Sequence, residues 1–230
     1  MLRRHLLSLV VLTLLGSLTL RPLPLAAAPV TQPISQVRMV HALPGAPAVD
    51  VFVDGARFVP GLAFGVAGPY VNLAAGPHAF ALVPVGAVSP TALVSTDLDM
   101  APGQPYTLLA LPPAAAPGSP TLLVLQDERV AAIGGPARVR FVHASPNTPN
   151  VDVVVTGGAP LTSNLPFGAA TPYIDVPAST VSLQLRLAGT DTVVLALTDT
   201  VLAVGTIYTF AAIGLSGGTP ALGALPLIDS

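Results

Sequence analysis

The sequence predicts an all-β protein made of two tandem Ig-like or transthyretin-like antiparallel β-sandwich domains that follow a signal peptide. Three observations lead to this prediction: a high density of turn residues, an internal repeat, and short segments that alternate apolar and polar side chains. The 230 residues include 26 Pro and 21 Gly, which disfavours long helices. Hydrophobic residues make up 52% and charged residues 9%, a composition that supplies packed cores and excludes a solvated disordered chain.

The internal repeat begins with one motif that occurs twice, at Val37–Val53 and at Val139–Val155. Self-similarity of this kind indicates duplicated structural units. Later segments repeat as well, for example Tyr106-Thr107 and Tyr208-Thr209. The polar and proline positions that recur are Arg38, His41, Pro44, Pro47 and Asp50 in the first copy and Arg140, His143, Pro146, Pro149 and Asp152 in the second.

The repeat divides the chain into five parts. We predict a signal peptide at 1–28, a leader at 29–36, a first β-sandwich repeat at 37–128, a linker at 129–137 and a second repeat at 138–230. Turn signals separate seven or eight short strands in each copy, which is typical of a sandwich. In the first copy we expect them near Val37–His41, Val49–Val53, Phe58–Phe64, Tyr70–Leu73, His78–Val83, Ala92–Asp99, Tyr106–Leu111 and Leu122–Gln126. Asp54-Gly55 is expected to form a tight turn.

The N-terminal segment has the three parts of a secretory signal peptide. Arg3 and Arg4 form a basic start, Leu6–Leu20 is apolar, and Ala26–Ala28 offers a cleavage site. The apolar run is shorter than the roughly 20 residues of a spanning helix, so an uncleaved anchor is the alternative. The mature chain is therefore expected to be secreted or extracytoplasmic, associated with the cell envelope, and to contain no membrane span.

Composition excludes several classes of function. All nine basic residues are Arg, too few for the basic stripe that nucleic-acid binding requires. The chain has no Cys, which excludes disulfides, thiolate metal sites and a cysteine nucleophile. No phosphate-binding loop, dinucleotide fingerprint or serine nucleophile motif is present. We expect no catalytic residue, no cofactor and no metal.

The two histidines of the motif allow two interpretations. His41 and His143 could each be a metal ligand or a general base, or each could hydrogen-bond the proline-rich loop that follows it. A loop with two prolines lacks donors and leaves carbonyl groups that need partners. Metal sites usually need three or four ligands, and each copy supplies one such His. The sequence favours a structural role for both.

The carboxylates of the motif also have a catalytic and a structural interpretation. Alternation along the strands places Arg38 and Asp50 on the side away from the core, and Arg140 and Asp152 repeat the arrangement. We therefore expect two cross-strand ion pairs. Asp97 and Asp99 resemble a calcium-binding pair, but the glycine-containing acidic loop of a strong calcium motif is missing.

The motif resembles a known family. Val37–Gly55 closely resembles the opening of the bacterial domain of unknown function 4397, and Val139–Gly157 resembles it too, with Thr156 in place of the Asp before Gly. The resemblance implies exported or surface-associated β-rich domains, often in tandem. It implies no known activity.

These observations predict an exported, non-catalytic binding or structural module of the cell envelope or extracellular space. Its expected partner is an envelope protein or a cell-wall component. One alternative is a carbohydrate-binding domain that uses exposed tyrosines, for which the candidates are Tyr70, Tyr106, Tyr173 and Tyr208. Another is a secreted hydrolase that uses paired carboxylates among Asp50, Asp97 and Asp99.

Overall fold

The structure is a computed structural model that describes residues 32–87, 91–115, 117–130 and 134–229. The expected signal peptide and the first three residues of the expected leader, 29–31, lie outside these residues. The described residues form sixteen strands and no helix, which confirms the all-β class. No helix in this part of the chain could therefore cross a membrane.

Each repeat contributes eight strands, close to the predicted positions. The first repeat contains β1 (Ile34–His41), β2 (Val49–Val53), β3 (Ala56–Leu62), β4 (Val71–Ala74), β5 (Gly76–Pro84), β6 (Val94–Met100), β7 (Pro105–Leu111) and β8 (Thr121–Gln126). The second contains β9 (Ala137–Ala144), β10 (Val151–Val155), β11 (Pro160–Leu165), β12 (Ile174–Val176), β13 (Thr180–Leu187), β14 (Val193–Val201), β15 (Ile207–Ile213) and β16 (Gly223–Ile228).

The strands of each repeat form two four-stranded sheets. The first repeat has an inner sheet of order β4-β1-β7-β8 and an outer sheet of order β3-β2-β5-β6; the second repeats this as β12-β9-β15-β16 and β11-β10-β13-β14. Most neighbours are antiparallel, but β1 pairs with β7, and β9 with β15, in parallel. Parallel neighbours need a long crossover, and here the chain passes through the outer sheet between them.

The Asp-Gly turn forms as predicted. Asp54 and Gly55 connect β2 to β3, with Val53 opposite Ala56, and both turn residues have positive φ, 50° and 77°. A two-residue turn with positive φ at both positions matches the twist of the strands it joins. The second repeat has Thr156-Gly157 here, and its connection runs from Val155 to Pro160.

Alternation along the strands produces three apolar cores. In β1, Val37 and Met39 pack into the core between the inner and outer sheets of the first repeat. Val40 lies on the opposite face of β1 and packs with Val142 of the second repeat in a separate core between the two inner sheets. The second repeat has its own intersheet core. The described chain is thus a stack of four sheets, and the two repeats share a buried face.

Candidate functional site

Six polar side chains form a closed ring of hydrogen bonds in the face shared by the two repeats. The inner strands β1, β7, β9 and β15 supply Arg and Thr, and the segments just after β8 and β16 supply Asp. All six are buried, at 0–5% exposure. The ring contains Arg38, Thr107 and Asp127 from the first repeat and Arg140, Thr209 and Asp229 from the second.

The ring crosses from one repeat to the other twice. Arg38 Nη2 donates to Thr107 Oγ1 at 2.7 Å and to Asp229 Oδ1 at 2.5 Å. Thr107 Oγ1 in turn donates to Asp127 Oδ2 at 2.6 Å. Each arginine therefore bonds a threonine of its own repeat and an aspartate of the other.

The second half of the ring has nearly the same distances. Arg140 Nη2 donates to Thr209 Oγ1 at 2.8 Å and to Asp127 Oδ1 at 2.5 Å, and Thr209 Oγ1 donates to Asp229 Oδ2 at 2.6 Å. Each guanidinium also reaches the backbone of the other repeat, since Arg38 Nη1 bonds Ile228 O and Arg140 Nη1 bonds Gln126 O. Charge-assisted bonds of this kind are about twice as strong as neutral ones.

A tyrosine completes each half of the ring. The hydroxyl of Tyr70 donates to Asp127 Oδ2, and that of Tyr173 to Asp229 Oδ2, both at 2.7 Å. The Arg38 guanidinium lies 4.5 Å from the centre of the Tyr70 ring, and Arg140 is placed identically over Tyr173. Burial raises the pKa of both phenols above the usual value, so both hydroxyls remain protonated donors.

An open pocket of about 320 Å³ borders the hydrogen-bonded ring at Arg140, Asp127 and Tyr173.

The prediction of Arg38–Asp50 and Arg140–Asp152 ion pairs is wrong, because Arg38 pairs with Asp229 and Arg140 with Asp127. Alternation assigns the correct side of each strand, away from the core of its own repeat. However, β1 and β2 lie in different sheets, as do β9 and β10. The side away from the core therefore means the other repeat for Arg38 and the solvent for Asp50, so the two side chains point in opposite directions.

Asp50 and Asp152 instead hold a β-bulge on the outer sheets. The register between β2 and β3 shifts at Val49–Val51, and the Asp50 carboxylate accepts the backbone N–H of Gly61 at 2.8 Å. In the second repeat Asp152 accepts from Asn164 N at 2.7 Å. Gly61 and Asn164 have φ of 61° and 57°, the conformation that such bulges require and that Gly and Asn tolerate. Asp50 also lies 3.3 Å from an exposed arginine, Arg57.

The two histidines each bridge the two ends of their proline-containing loop. Nε2 of His41 lies 3.0 Å from Pro47 O, and Nδ1 accepts the backbone N–H of Leu43 at 3.2 Å. His143 is placed likewise, 3.1 Å from Pro149 O, with Ser145 N donating to Nδ1. A backbone N–H can only donate, so Nδ1 carries no proton and Nε2–H is the donor.

The prolines of the motif shape these loops. Pro44 follows Leu43 and precedes Gly45, whose φ is 81°, an arrangement typical of a type II turn with Pro at its second position. Pro146 occupies the matching turn, where Thr148 N donates to Ser145 O at 3.4 Å. Pro47 and Pro149 present the carbonyl groups that the histidines reach. Whether the motif is purely structural stays a prediction.

The same geometry lowers the pKa of both imidazoles. Burial is the main cause for His41 and for His143, and the bonds to the loop carbonyl groups oppose it only partly. Each ring therefore takes up a proton at a lower pH in the fold than in an unfolded chain, where protonation occurs near pH 6.5. The folded state binds fewer protons than the unfolded state below that pH, so acidification destabilises it.

We expect the free energy of unfolding to be highest above pH 6.5 and to fall as the pH falls below that value. The double variant His41→Gln/His143→Gln should remove most of this loss, because glutamine does not titrate. The measurement is urea unfolding at a series of pH values between 5 and 8. A loss of equal size in the double variant would contradict the assignment, and so would a change in melting temperature on adding a chelator.

His78 is the matched control because its pKa shifts in the opposite direction. Burial lowers it, but hydrogen bonds to Asp54 at 2.6 Å and to Ala74 O outweigh burial and raise it. The contribution of His78 to the free energy of unfolding is therefore present below pH 6.5 and is lost as the pH rises through the folded-state pKa. His78→Gln should make the loss on acidification steeper. The second repeat has Val181 at this position.

The remaining candidates do not gather into one site. Tyr106 and Tyr208 are 4% and 9% exposed, and Tyr70 and Tyr173 are committed to the ring, so the four tyrosines form no sugar-binding platform. Asp97 and Asp99 lie exposed on β6. Among the described residues, no group of three or more His, Asp or Glu side chains could hold a metal ion.

Asp127 and Asp229, the aspartates of the ring, were not among the site residues predicted from the sequence. The sequence contains a signal for them, because Asp127 and Asp229 are separated by the same 102 residues as Arg38 and Arg140. The recurrence shows that the positions matter to both copies, but it does not show that each aspartate serves the other copy. That exchange is visible only once the two inner sheets are packed together.

Comparison with known proteins identifies a family and little else. The family model described as domain of unknown function (DUF4397) matches residues 35–154 and 137–230. No curated protein matches the chain. Among solved structures, the chain is similar to the Bacillus anthracis TIE protein, at 8% identity and a TM-score of 0.23, over 80% of this chain and 34% of that one. The chain thus spans about a third of the length of that protein.

Proposed function

The chain belongs to the family of domains of unknown function DUF4397, and from that premise we propose that it is an exported, non-catalytic binding or structural module. It acts at the cell envelope or outside the cell. Its partner is an envelope protein or a cell-wall component. One observation carries the proposal: the polar residues common to both repeats are hydrogen-bonded within the protein.

The polar residues common to both repeats form hydrogen bonds within the fold itself. An enzyme needs acids, bases or nucleophiles that a substrate can reach. Here the recurring Arg, Thr and Asp side chains are buried and bonded to one another across the repeats, and His41 and His143 are bonded within their loops. Recurrence at these positions is therefore accounted for by the fold, which supports a role without catalysis.

The four-sheet stack also suits a binding or structural role. The inner sheets are held together by an apolar core and by the buried ring, so the repeats are joined into one unit. The outer sheets, β3-β2-β5-β6 and β11-β10-β13-β14, each leave one face toward solvent. A rigid scaffold with exposed sheet faces presents surfaces that pre-organise contacts and reduce the entropy lost on binding.

Export is supported by the pattern of the first 28 residues, and it can be tested directly. We expect the full-length chain, expressed in a bacterial host, to be recovered outside the cytoplasm with Pro29 as its first residue. N-terminal sequencing of the exported protein is the measurement. The variant Leu14→Arg/Leu15→Arg interrupts the apolar run and should leave the protein unprocessed in the cytoplasm. Exported protein that retains Met1 would show an anchor instead, and cytoplasmic protein would defeat the proposal.

A further inference from the structure

The solvent face of the outer sheet of the first repeat has an apolar hollow. It occupies about 300 Å³ and is lined by Phe52, Gly55, Ala79, Phe80, Ala81, Val83 and Ser95. Phe52 on β2 lies opposite Ala81 on β5, which lies opposite Ser95 on β6. A partly exposed aromatic ring thus stands beside small side chains, and the small side chains leave one side of the ring uncovered.

The matching place in the second repeat is covered. Val154 replaces Phe52 and is 4% exposed, and Gln184 and Arg186 replace Ala81 and Val83. Nε and Nη2 of Arg186 both donate to Gln184 Oε1, at 3.1 and 2.8 Å. Long polar side chains over an apolar position are a common way to protect a sheet face. The first repeat pairs the corresponding strands in the same way but has the shorter side chains Ala81 and Val83 at these positions.

Four carboxylates lie on the same outer sheet as the hollow, although none of them lines it. Asp97 lies opposite Ala79, and Asp54 accepts the N–H of Ala79 at 2.9 Å. Asp50 and Asp99 lie on the same outer sheet, so this sheet carries four of the chain's 11 acidic residues. The salt bridges among the described residues pair Asp50 with Arg57 and Asp54 with His78 but include neither Asp97 nor Asp99. The rim is therefore negative.

We infer that this hollow binds a basic segment of a partner protein, with one apolar or aromatic side chain over Phe52 and flanking lysines or arginines against the acidic rim. The inference rests on the proposed function and assigns a face and a partner chemistry to it. Charge complementarity argues for this occupant, since opposite potentials steer and orient association. A neutral sugar could donate hydrogen bonds to these carboxylates, but it would gain none of the net charge attraction that a basic segment gains.

A second copy of the chain does not supply that chemistry. The chain has no Lys, and Arg38 and Arg140 are buried in the ring. The other arginines among the described residues each have acidic or polar partners: Arg57 with Asp50, Arg129 with Gln36 and Asp229, Arg138 with Glu128 and Asp175, and Arg186 with Asp191. The basic groups must come from another protein.

The test uses the complete mature chain and a short synthetic peptide with one phenylalanine between lysines. The reference peptide has glutamates in place of the lysines. In an NMR titration, we expect the lysine peptide to shift the backbone amides of Ala79, Ala81 and Ser95 saturably, with an affinity that falls as salt rises. Asp97→Asn should weaken binding by about two- to threefold, as one exposed charge contributes modestly.

The decisive variant places the side chains of Gln184 and Arg186, which cover the matching place in the second repeat, at positions 81 and 83 of the first. Ala81→Gln/Val83→Arg should weaken the lysine peptide at least about tenfold, because the new side chains fill the hollow and add positive charge. Ala203→Gln/Val204→Arg adds the same side chains at two exposed positions of the second repeat and should leave the affinity unchanged. Circular dichroism melts of both variants check that the fold persists.

Several results would overturn the inference. They are an absence of saturable shifts, shifts that map elsewhere, equal binding of the glutamate peptide, and undiminished binding to the folded Ala81→Gln/Val83→Arg variant. A neutral oligosaccharide that shifts these amides when the peptide does not would also overturn it. None of these results affects the export measurement, so the failure of this site can be told apart from the failure of the proposed function.

Discussion

Replacing Asp127 with alanine is expected to lower the free energy of unfolding by about 3–5 kcal/mol, the usual cost of removing one partner from a buried ion pair. The loss removes the carboxylate that Arg140 hydrogen-bonds at 2.5 Å and leaves this buried guanidinium only the longer contact with Asp229 Oδ2, at 3.8 Å. It also removes the acceptor of Thr107 and Tyr70. For a chain of this size, the melting temperature should fall by roughly 6–20 °C, at roughly 2–4 °C per kcal/mol. Thermal and urea unfolding measure the effect.

Three variants control this experiment. Asp229→Ala should cost about as much, because it occupies the equivalent position in the other half of the ring. Asp97→Ala removes an exposed carboxylate and should change stability by no more than about 0.5 kcal/mol. Asp127→Ala/Arg140→Met should be more stable than Asp127→Ala alone, since Arg140 is no longer buried without its hydrogen-bonded carboxylate and the Arg38–Asp229 pair stays intact. If Asp127→Ala proved as mild as Asp97→Ala, the ring would not hold the repeats together.

Replacing Leu109 with alanine is expected to cost about 2–5 kcal/mol, as for other large-to-small changes in a core. Leu109 is fully buried in the apolar core between the two inner sheets. Its neighbour Leu108 is equally buried but faces the core inside the first repeat. Leu108→Ala should therefore cost a similar amount. In two independent domains Leu109 would lie on the surface and its replacement would matter little.

The same core predicts how the chain unfolds. Since the repeats share both the apolar core and the ring, we expect one cooperative transition, and Leu109→Ala should shift the whole transition to lower urea. Val124→Ala, at a position 36% exposed on β8, is the matched control and should have a small effect. Two separable transitions, or a Leu109→Ala variant as stable as the unmodified chain, would show that the repeats fold independently.

Local features of the chain were predictable because neighbouring residues determine them. The short alternating segments mark all eight strands of the first repeat, and the Asp54-Gly55 turn forms because Gly readily adopts positive φ. The motif also predicts that Arg38 points away from the core that contains Val37 and Met39, and it does. These predictions need only the period of a strand and the chemistry of a turn.

The sequence by itself thus determined the all-β class, the duplication and the side of its strand on which each motif residue lies. Only the tertiary structure decided what lies on that side. The assignment of β1 and β2 to different sheets sends Arg38 toward Asp229, 191 positions away, and leaves Asp50 to hold a bulge. The reason is physical. Alternation along a strand only decides which of two faces a side chain lies on. The partner that it meets there depends on which sheets pack together, and that packing is set by apolar faces far apart in the chain.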